Sequence, residues 1–107
     1  MQQALEPPHL LRVNLQNPIT HEEINRLVQA ISTTVQHSAL LINFGEHNFA
    51  SIAVLRHCKN ELMRVAEQLE QFDKIAFITP PSYQGVNQER LRYFQEEVQA
   101  LSWLNKT

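Results

Sequence analysis

The segment from Ala39 to Phe44 constrains the fold more than any other part of the chain. It reads Ala-Leu-Leu-Ile-Asn-Phe, a nearly unbroken apolar run of strand length. Strands that are covered on both faces have this composition, because neither set of alternating side chains meets water. The run therefore predicts a central, parallel strand, which ends at Gly45.

Strand and helix patterns alternate on either side of this run. From His9 to Leu15 every second side chain is apolar, which predicts a strand with one buried face. Apolar residues recur at helical spacing from about Thr20 to His37 and again from Ser51 to Gln71, so both segments are predicted to be amphipathic helices. Lys74 to Thr79 is a third predicted strand. The proline pair that follows ends it, because proline cannot donate to a sheet.

This alternation predicts a single α/β domain with a parallel sheet, and 107 residues leave room for one core. The segment after residue 90 has two interpretations. Its apolar residues fit one long helix, but Leu91 to Phe94 could also be a short strand before a final helix; periodicity alone favours the single helix. Met1 to Pro8 shows little pattern and is expected to be a disordered or extended lead to a domain of residues 9–107.

Composition argues against several classes of protein. The formal net charge is −2 and the nine Lys and Arg residues are spread along the chain, so the basic patch of a nucleic-acid-binding protein is missing. No run of apolar residues is long enough for a membrane span. A single cysteine, Cys58, and the lack of a secretory signal at the N-terminus lead us to expect a cytoplasmic protein.

No set of residues predicts a catalytic or cofactor site. Gly45 and Gly85 are the only glycines, so neither a glycine-rich dinucleotide turn nor a phosphate-binding loop can form. We therefore expect no enzymatic activity and no cofactor. A metal site is not expected either, because the five histidines lack the paired spacing of zinc motifs. These histidines are His9, His21, His37, His47 and His57.

Two residues of the second predicted helix have both a structural and a chemical interpretation. Cys58 could be a nucleophile, but it falls in the apolar stripe, where a cysteine packs as a small hydrophobic residue. Ser51 lies at the helix start, where its hydroxyl would cap free amides and where a phosphate would meet a favourable dipole. We favour the structural interpretation for both residues.

Three stretches carry a resemblance to a known family. His9 to Leu27 joins a strand, a turn and a Thr-capped helix, and Lys74 to Pro80 is an apolar strand. Phe94 to Leu104 reads Phe-Gln-Glu-Glu-Val-Gln-Ala-Leu-Ser-Trp-Leu, a strand-final Phe followed by acidic residues and an apolar helix ending in Trp-Leu. Together these stretches resemble a STAS-type domain, the fold of bacterial anti-sigma-factor antagonists, in the divergent branch that is related to lipid-binding CRAL-TRIO domains.

The resemblance implies a roughly four-stranded, mainly parallel sheet with two long helices and a short C-terminal helix. It favours a strand at about Arg90 to Phe94 and a helix to Leu104. It also implies a non-enzymatic regulatory module that binds a protein partner through the loop from Gly45 to Ala50 and the exposed face of the second helix. A homodimer is a further alternative. The candidate contact residues are Gly45, Glu46, His47, Asn48 and Ser51.

The chain departs from this family at the phosphorylation site. In phosphorylatable members an Asp-Ser-Ser-Gly stretch opens the second helix, and here Ser-Ile-Ala-Val occupies residues 51–54. The acceptor position is therefore apolar, and Asn43 replaces the strand-end Asp, so the usual kinase switch is not expected. The helix that normally precedes the fourth strand is reduced to Ser82 to Gln88.

A second function remains open besides partner binding, namely a carrier of a lipid or another small apolar ligand. Such a carrier needs a pocket between a helix and the sheet, and a chain of this length has little core to spare for one. The residues predicted to form that core are Leu27, Leu41, Ile42, Phe44, Leu62, Ile75 and Phe77.

Overall fold

A computed structural model describes residues 9–33, 39–83 and 85–106. The predicted lead from Met1 to Pro8 and the end of the first predicted helix, residues 34–37, lie outside this part of the chain. The helices and strands are β1 (Leu10–Asn14), α1 (His21–Thr33), β2 (Ala39–Asn43), α2 (Ile52–Arg64), α3 (Ala66–Leu69), β3 (Lys74–Ile78), β4 (Leu91–Phe94) and α4 (Glu97–Leu104).

The four strands form one parallel sheet in the order β1-β2-β3-β4. Leu41 on β2 lies opposite Arg12 on one side and Ala76 on the other, and Phe77 on β3 lies opposite Tyr93. β2 is thus an interior strand, as its apolar sequence predicted, and four of its five residues are buried. The predicted α/β fold with a four-stranded parallel sheet is confirmed.

Different layers cover the two faces of the sheet. Crossovers between neighbouring parallel strands are right-handed, so the helices that join β1 to β2 and β2 to β3 must lie on the same face. Accordingly α1 and α2 share a core with Leu40 and Ile42 of β2. On the opposite face α4 packs Leu101 and Leu104 against Leu41. The second face is therefore covered from the C-terminal end of the chain.

Six of the seven predicted core residues are buried, and Leu62 differs from them. It is partly buried and packs against the edge of the larger core. Leu62 lies on the side of α2 that faces the connection from β3 to β4, and the described residues of that connection form no helix to cover it.

The second predicted helix is shorter than its apolar pattern suggested. α2 ends at Arg64, and Val65 adopts φ −100° and ψ 22° before the single turn of α3. The pattern could not locate this break, because Val54, Cys58 and Val65 are all buried and the apolar stripe runs through it.

The C-terminal segment divides into a strand and a helix, as the family resemblance implied, and the single long helix favoured by periodicity is wrong. β4 pairs with β3, and the Thr79 amide extends the pairing by donating to the Phe94 carbonyl at 2.9 Å. α4 then begins at Glu97. In the part of the chain that the structure describes, no helix has the length and apolar character needed to cross a membrane.

Candidate functional site

The connection from β3 to β4 leaves part of the sheet without a covering helix. Its described residues, 80–83 and 85–90, contain neither helix nor strand. A cavity of about 250 Å³ lies between this connection and α2, next to Phe44 and Thr79, which follow β2 and β3. We call it the aromatic cavity. The carboxyl ends of parallel strands are where ligands gather in open α/β sheets, so its position makes it the first candidate site.

Five ring side chains at the cavity contact one another in a closed circuit. His47 stacks on Tyr83 with ring centroids 4.1 Å apart, and the remaining neighbours meet at tilted or edge-to-face angles. Such arrangements are favourable because the edge of one ring meets the face of the next. In order around the circuit the residues are Phe44, Phe77, Tyr93, Tyr83 and His47, with centroid distances of 5.3, 5.3, 5.8, 4.1 and, back to Phe44, 5.7 Å.

Tyr93 is held in this circuit by the connection that crosses it. A Cβ atom added to Gly85 would lie 2.2 Å from Tyr93 Cζ, so only glycine allows the backbone to approach the ring this closely. The Tyr93 amide donates to Asn87 Oδ1 at 2.8 Å. Burial raises the pKa of the Tyr93 hydroxyl, and the neighbouring Tyr83 acts in the same direction. The phenol therefore stays protonated at neutral pH.

The opposite wall of the cavity comes from α2. Leu55, Cys58 and Leu62 contribute apolar surface, and Lys59 contributes the charged group of this wall. Burial raises the pKa of the Cys58 thiol to about 11, against the opposing effect of the Lys59 charge. A protonated, buried thiol is a poor nucleophile, so Cys58 is the packing residue that its place in the apolar stripe predicted.

Thr79 is the buried polar residue of the described chain, with 3% of its surface exposed. Its amide donates to the Phe94 carbonyl, but its hydroxyl makes no hydrogen bond with another described residue. An unpaired buried polar group costs about 1–3 kcal/mol. Since Thr79 lines the aromatic cavity, its hydroxyl is available to a bound molecule.

The predicted contact loop from Gly45 to Ala50 is tied to the chain before α1. Gly45 has φ +61°, and a Cβ there would lie 2.6 Å from Asn17 Nδ2, so glycine is required at this position. The Asn17 side chain donates to the Phe44 carbonyl at 3.0 Å and accepts from the Asn48 amide at 2.8 Å. The Ile19 amide donates to the Asn48 carbonyl at 2.7 Å. The polar backbone of the loop is thus largely occupied within the fold.

Of the five predicted contact residues, His47 is the one that lines the aromatic cavity. Its backbone has φ 57°, which is uncommon outside glycine, and its ring also meets Phe49 edge to face at 5.0 Å. Burial lowers the pKa of His47, which keeps the imidazole neutral at pH 7. Gly45, Glu46 and Asn48 are exposed on the loop surface.

Ser51 caps α2. Its backbone is extended, and its Oγ accepts a hydrogen bond from the Val54 amide at 3.2 Å. This geometry satisfies one of the amides that have no partner at a helix start. The structural interpretation of Ser51 is confirmed in this respect.

The outward face of α2 carries four exposed side chains, which we call the α2 stripe. Spacings of four, three and four residues align them along one side of the helix. The apolar ends, Ile52 and Met63, are 69% and 76% exposed. Arg56 and Lys59 lie between them, and neither side chain forms an ion pair or hydrogen bond with another described residue. The stripe thus joins exposed apolar surface to two positive charges that no described side chain neutralises.

The described residues provide no metal site, since no three His, Cys, Asp or Glu side chains among them come together as ligands would. His57 contacts Asn25 and the ring of His21 instead, at 3.0 Å and with ring centroids 4.8 Å apart. No protein-family model, curated protein or solved structure matches the chain. Its function must therefore be inferred from the geometry of the aromatic cavity and the α2 stripe.

Sequence reasoning missed most of the aromatic cavity. Phe77 is predicted as a core residue, Tyr93 falls within the ambiguous segment Leu91 to Phe94, and Thr79 is predicted only as the end of a strand. One signal is Gly85, because a glycine often marks a place where another group approaches the backbone closely. In the structure that group is the Tyr93 ring.

Proposed function

We propose that this chain is a non-enzymatic, STAS-like interaction module of the cytoplasm that binds an acidic partner protein through the α2 stripe. The observation that carries the proposal is the exposure of Ile52 and Met63 on the same helix face as two cations that have no ion-pair partner among the described residues. The sequence resemblance to STAS-type domains supports the same role, since it implies partner binding at the second helix and the loop before it.

The composition of the stripe indicates the chemistry of the partner. Burying an exposed aliphatic side chain contributes about 1.5–3 kcal/mol, so Ile52 and Met63 would supply most of the affinity. Arg56 and Lys59 would pair with carboxylates and set the orientation of the complex. The helix is about 20 Å long. Glu46 and Asn48 are exposed on the loop before it and would extend the contact area.

A second copy of the chain fits this surface poorly. In a two-fold dimer through α2, Ile52 of each copy would approach Met63 of the other. Arg56 and Lys59 of one copy would then lie opposite the same cations of the other copy. Like charges placed opposite one another oppose association. We therefore propose that the partner at the α2 stripe is a different protein. A homodimer would have to form through another surface.

The lipid-carrier alternative has weaker support. The aromatic cavity measures about 250 Å³, whereas sites for drug-sized ligands occupy about 300–1,000 Å³. Rings form much of its wall, whereas an acyl chain requires a long aliphatic channel.

The test compares proteins that are retained from a cytoplasmic extract by four immobilised forms of the chain. These are the wild type, the double variant Ile52→Ser/Met63→Ser, the charge reversal Arg56→Glu, and Val98→Ser as a control. Val98 is 64% exposed on α4, so its replacement removes exposed apolar surface far from the stripe.

We expect an acidic protein to be retained by the wild type and by Val98→Ser. With that protein purified, the double variant should bind at least about tenfold more weakly, since tenfold corresponds to about 1.4 kcal/mol. Arg56→Glu should weaken binding mainly at low salt, where charges are least screened. Equal retention of the same proteins by the wild type and the double variant would disprove the role of the stripe.

A further inference from the structure

The aromatic cavity combines features that the packing of the chain does not use. One wall consists of stacked and edge-to-face rings. Thr79 lines the cavity and is buried, and its hydroxyl makes no hydrogen bond with another described residue. The Lys59 ammonium has no ion-pair partner among the described residues. Buried polar groups normally have a hydrogen-bond partner, so a hydroxyl without one beside aromatic surface and a cation indicates a place for a ligand.

The volume of the cavity sets the size of a ligand. A dry cavity of about 150 Å³ holds one benzene molecule. The aromatic cavity, at about 250 Å³, therefore has room for one or two fused rings with a small substituent. Flat faces such as those of Tyr83 and Tyr93 favour a planar ring over a saturated one.

The charges of the residues that line the cavity indicate which polar group a ligand would carry. Burial lowers the pKa of His47 and raises the pKa values of Cys58 and Tyr93, so all three are neutral near pH 7. None of the described residues that line the cavity carries a carboxylate. Lys59 is exposed on α2 and reaches the cavity from its rim. A neutral interior with one cation at the mouth suits a molecule with an apolar ring and one negative charge.

We propose that the aromatic cavity binds a small planar aromatic carboxylate. Its ring lies among Tyr83, Tyr93 and Phe77, its carboxylate pairs with Lys59, and the Thr79 hydroxyl hydrogen-bonds a polar substituent of the ring. The interior residues of this site do not belong to the α2 stripe. Binding of the carboxylate therefore does not require the proposed partner protein.

Five probe molecules test the proposal by titration, followed through the NMR signals of the tyrosine rings and the Thr79 amide. The probes are 4-hydroxybenzoate, benzoate, the neutral amide of 4-hydroxybenzoate, 4-hydroxycyclohexanecarboxylate and benzylamine. We expect saturable binding of 4-hydroxybenzoate with a dissociation constant below about 1 mM. The amide and the saturated ring should bind at least about fivefold more weakly, and the cation should not bind.

Two variants identify the interacting groups. Thr79→Val keeps the shape of the side chain and removes only the hydroxyl, so we expect an intact fold and a severalfold loss of affinity for 4-hydroxybenzoate but not for benzoate. Lys59→Met removes the charge at an exposed position, and it should abolish the preference for the acid over the amide. Because Lys59 also belongs to the α2 stripe, Thr79→Val shows whether the cavity binds independently of partner recognition.

Three results would overturn the proposal. One is the absence of saturable shifts at the cavity residues with 4-hydroxybenzoate up to about 10 mM, well above the expected range. The second is equal affinity of the wild type for the acid and its amide. The third is binding that survives both Thr79→Val and Lys59→Met but is lost in Arg56→Glu, since this would place the anion on the helix surface.

Discussion

α1 and α2 have the same length and pack on the same face of the sheet, yet they use their side chains differently. Each has 13 residues. α1 buries four apolar side chains, whereas α2 buries only Val54 and Cys58 and exposes Ile52 and Met63. The difference follows from position, because the described residues of the connection from β3 to β4 form no helix that would pack beside α2. A helix at the edge of a layer can keep apolar side chains exposed, and a partner could bind them.

The two helices also differ in how their charges are used. On α1, Arg26 pairs with Glu23 at 3.0 Å, and Glu23 Oε1 accepts from the Gln16 amide at 2.6 Å. These charges hold the start of α1 to the preceding chain. On α2 the cations Arg56 and Lys59 make no such contacts with described residues. The charged groups of α1 therefore stabilise the fold. Those of α2 are the groups that, in the proposed function, bind the partner protein.

The most direct way to break this comparison is to make the same substitution in both helices. Ile24 on α1 is fully buried, so Ile24→Ala should lower the free energy of unfolding by about 2–5 kcal/mol through lost packing and a new cavity. Ile52 on α2 is 69% exposed, and Ile52→Ala should change it by less than about 0.5 kcal/mol. Urea unfolding curves measure both values. A similar decrease in the free energy of unfolding in both variants would mean that Ile52 stabilises the fold, and it would contradict a role for Ile52 in partner binding alone.

A smaller effect is expected at the start of α2. Ser51→Ala removes the acceptor for the Val54 amide and should cost about 1 kcal/mol of stability, while partner binding is retained. Ser51→Asp should restore the cap, because a carboxylate is also a good acceptor at this position. Urea unfolding and the retention assay are applied to both variants. A stable Ser51→Asp protein that no longer binds its partner would contradict a purely structural role and indicate regulation by negative charge at this position.

The smallest expected effect concerns pH and separates the two ion pairs. The hydrogen bond from Arg26, followed by that from the Gln16 amide, lowers the pKa of Glu23 from its ordinary value of 4.5. The pair therefore stabilises the fold fully above this value, and the contribution is lost as pH falls through the lower folded pKa. It should amount to less than about 1 kcal/mol, because water screens a surface pair.

The measurement compares the stability of Glu23→Gln with that of the wild type from pH 7 to pH 3. We expect the difference between them to shrink as the solution becomes more acidic. Glu61→Gln is the matched change on α2, where Glu61 pairs with Arg64 at 2.9 Å but holds no distant backbone amide. Its effect should be the smaller one, and the opposite order would show that the two helices use their charges alike.

Local patterns in the sequence were sufficient for the parallel α/β fold, the interior position of β2, the cap at Ser51 and the burial of Cys58. The last three depend on the position or spacing of residues within one element, which side-chain periodicity records, and the fold depends on the order in which such elements follow one another. The strand at Leu91–Phe94 was already ambiguous at this level. Its apolar residues fit a helix as well, and only pairing with β3 makes the segment a strand, although the family resemblance pointed to the correct alternative.

The aromatic cavity and the break at Val65 were decided by the tertiary structure alone. Phe44, Phe77 and Tyr93 lie far apart in sequence, and they become neighbours because parallel strands bring their carboxyl ends to one edge of the sheet. The cavity remains open beside them because the third crossover forms no helix in its described residues. Local spacing predicts which side of an element is apolar, but it contains no information on whether another element will cover that side.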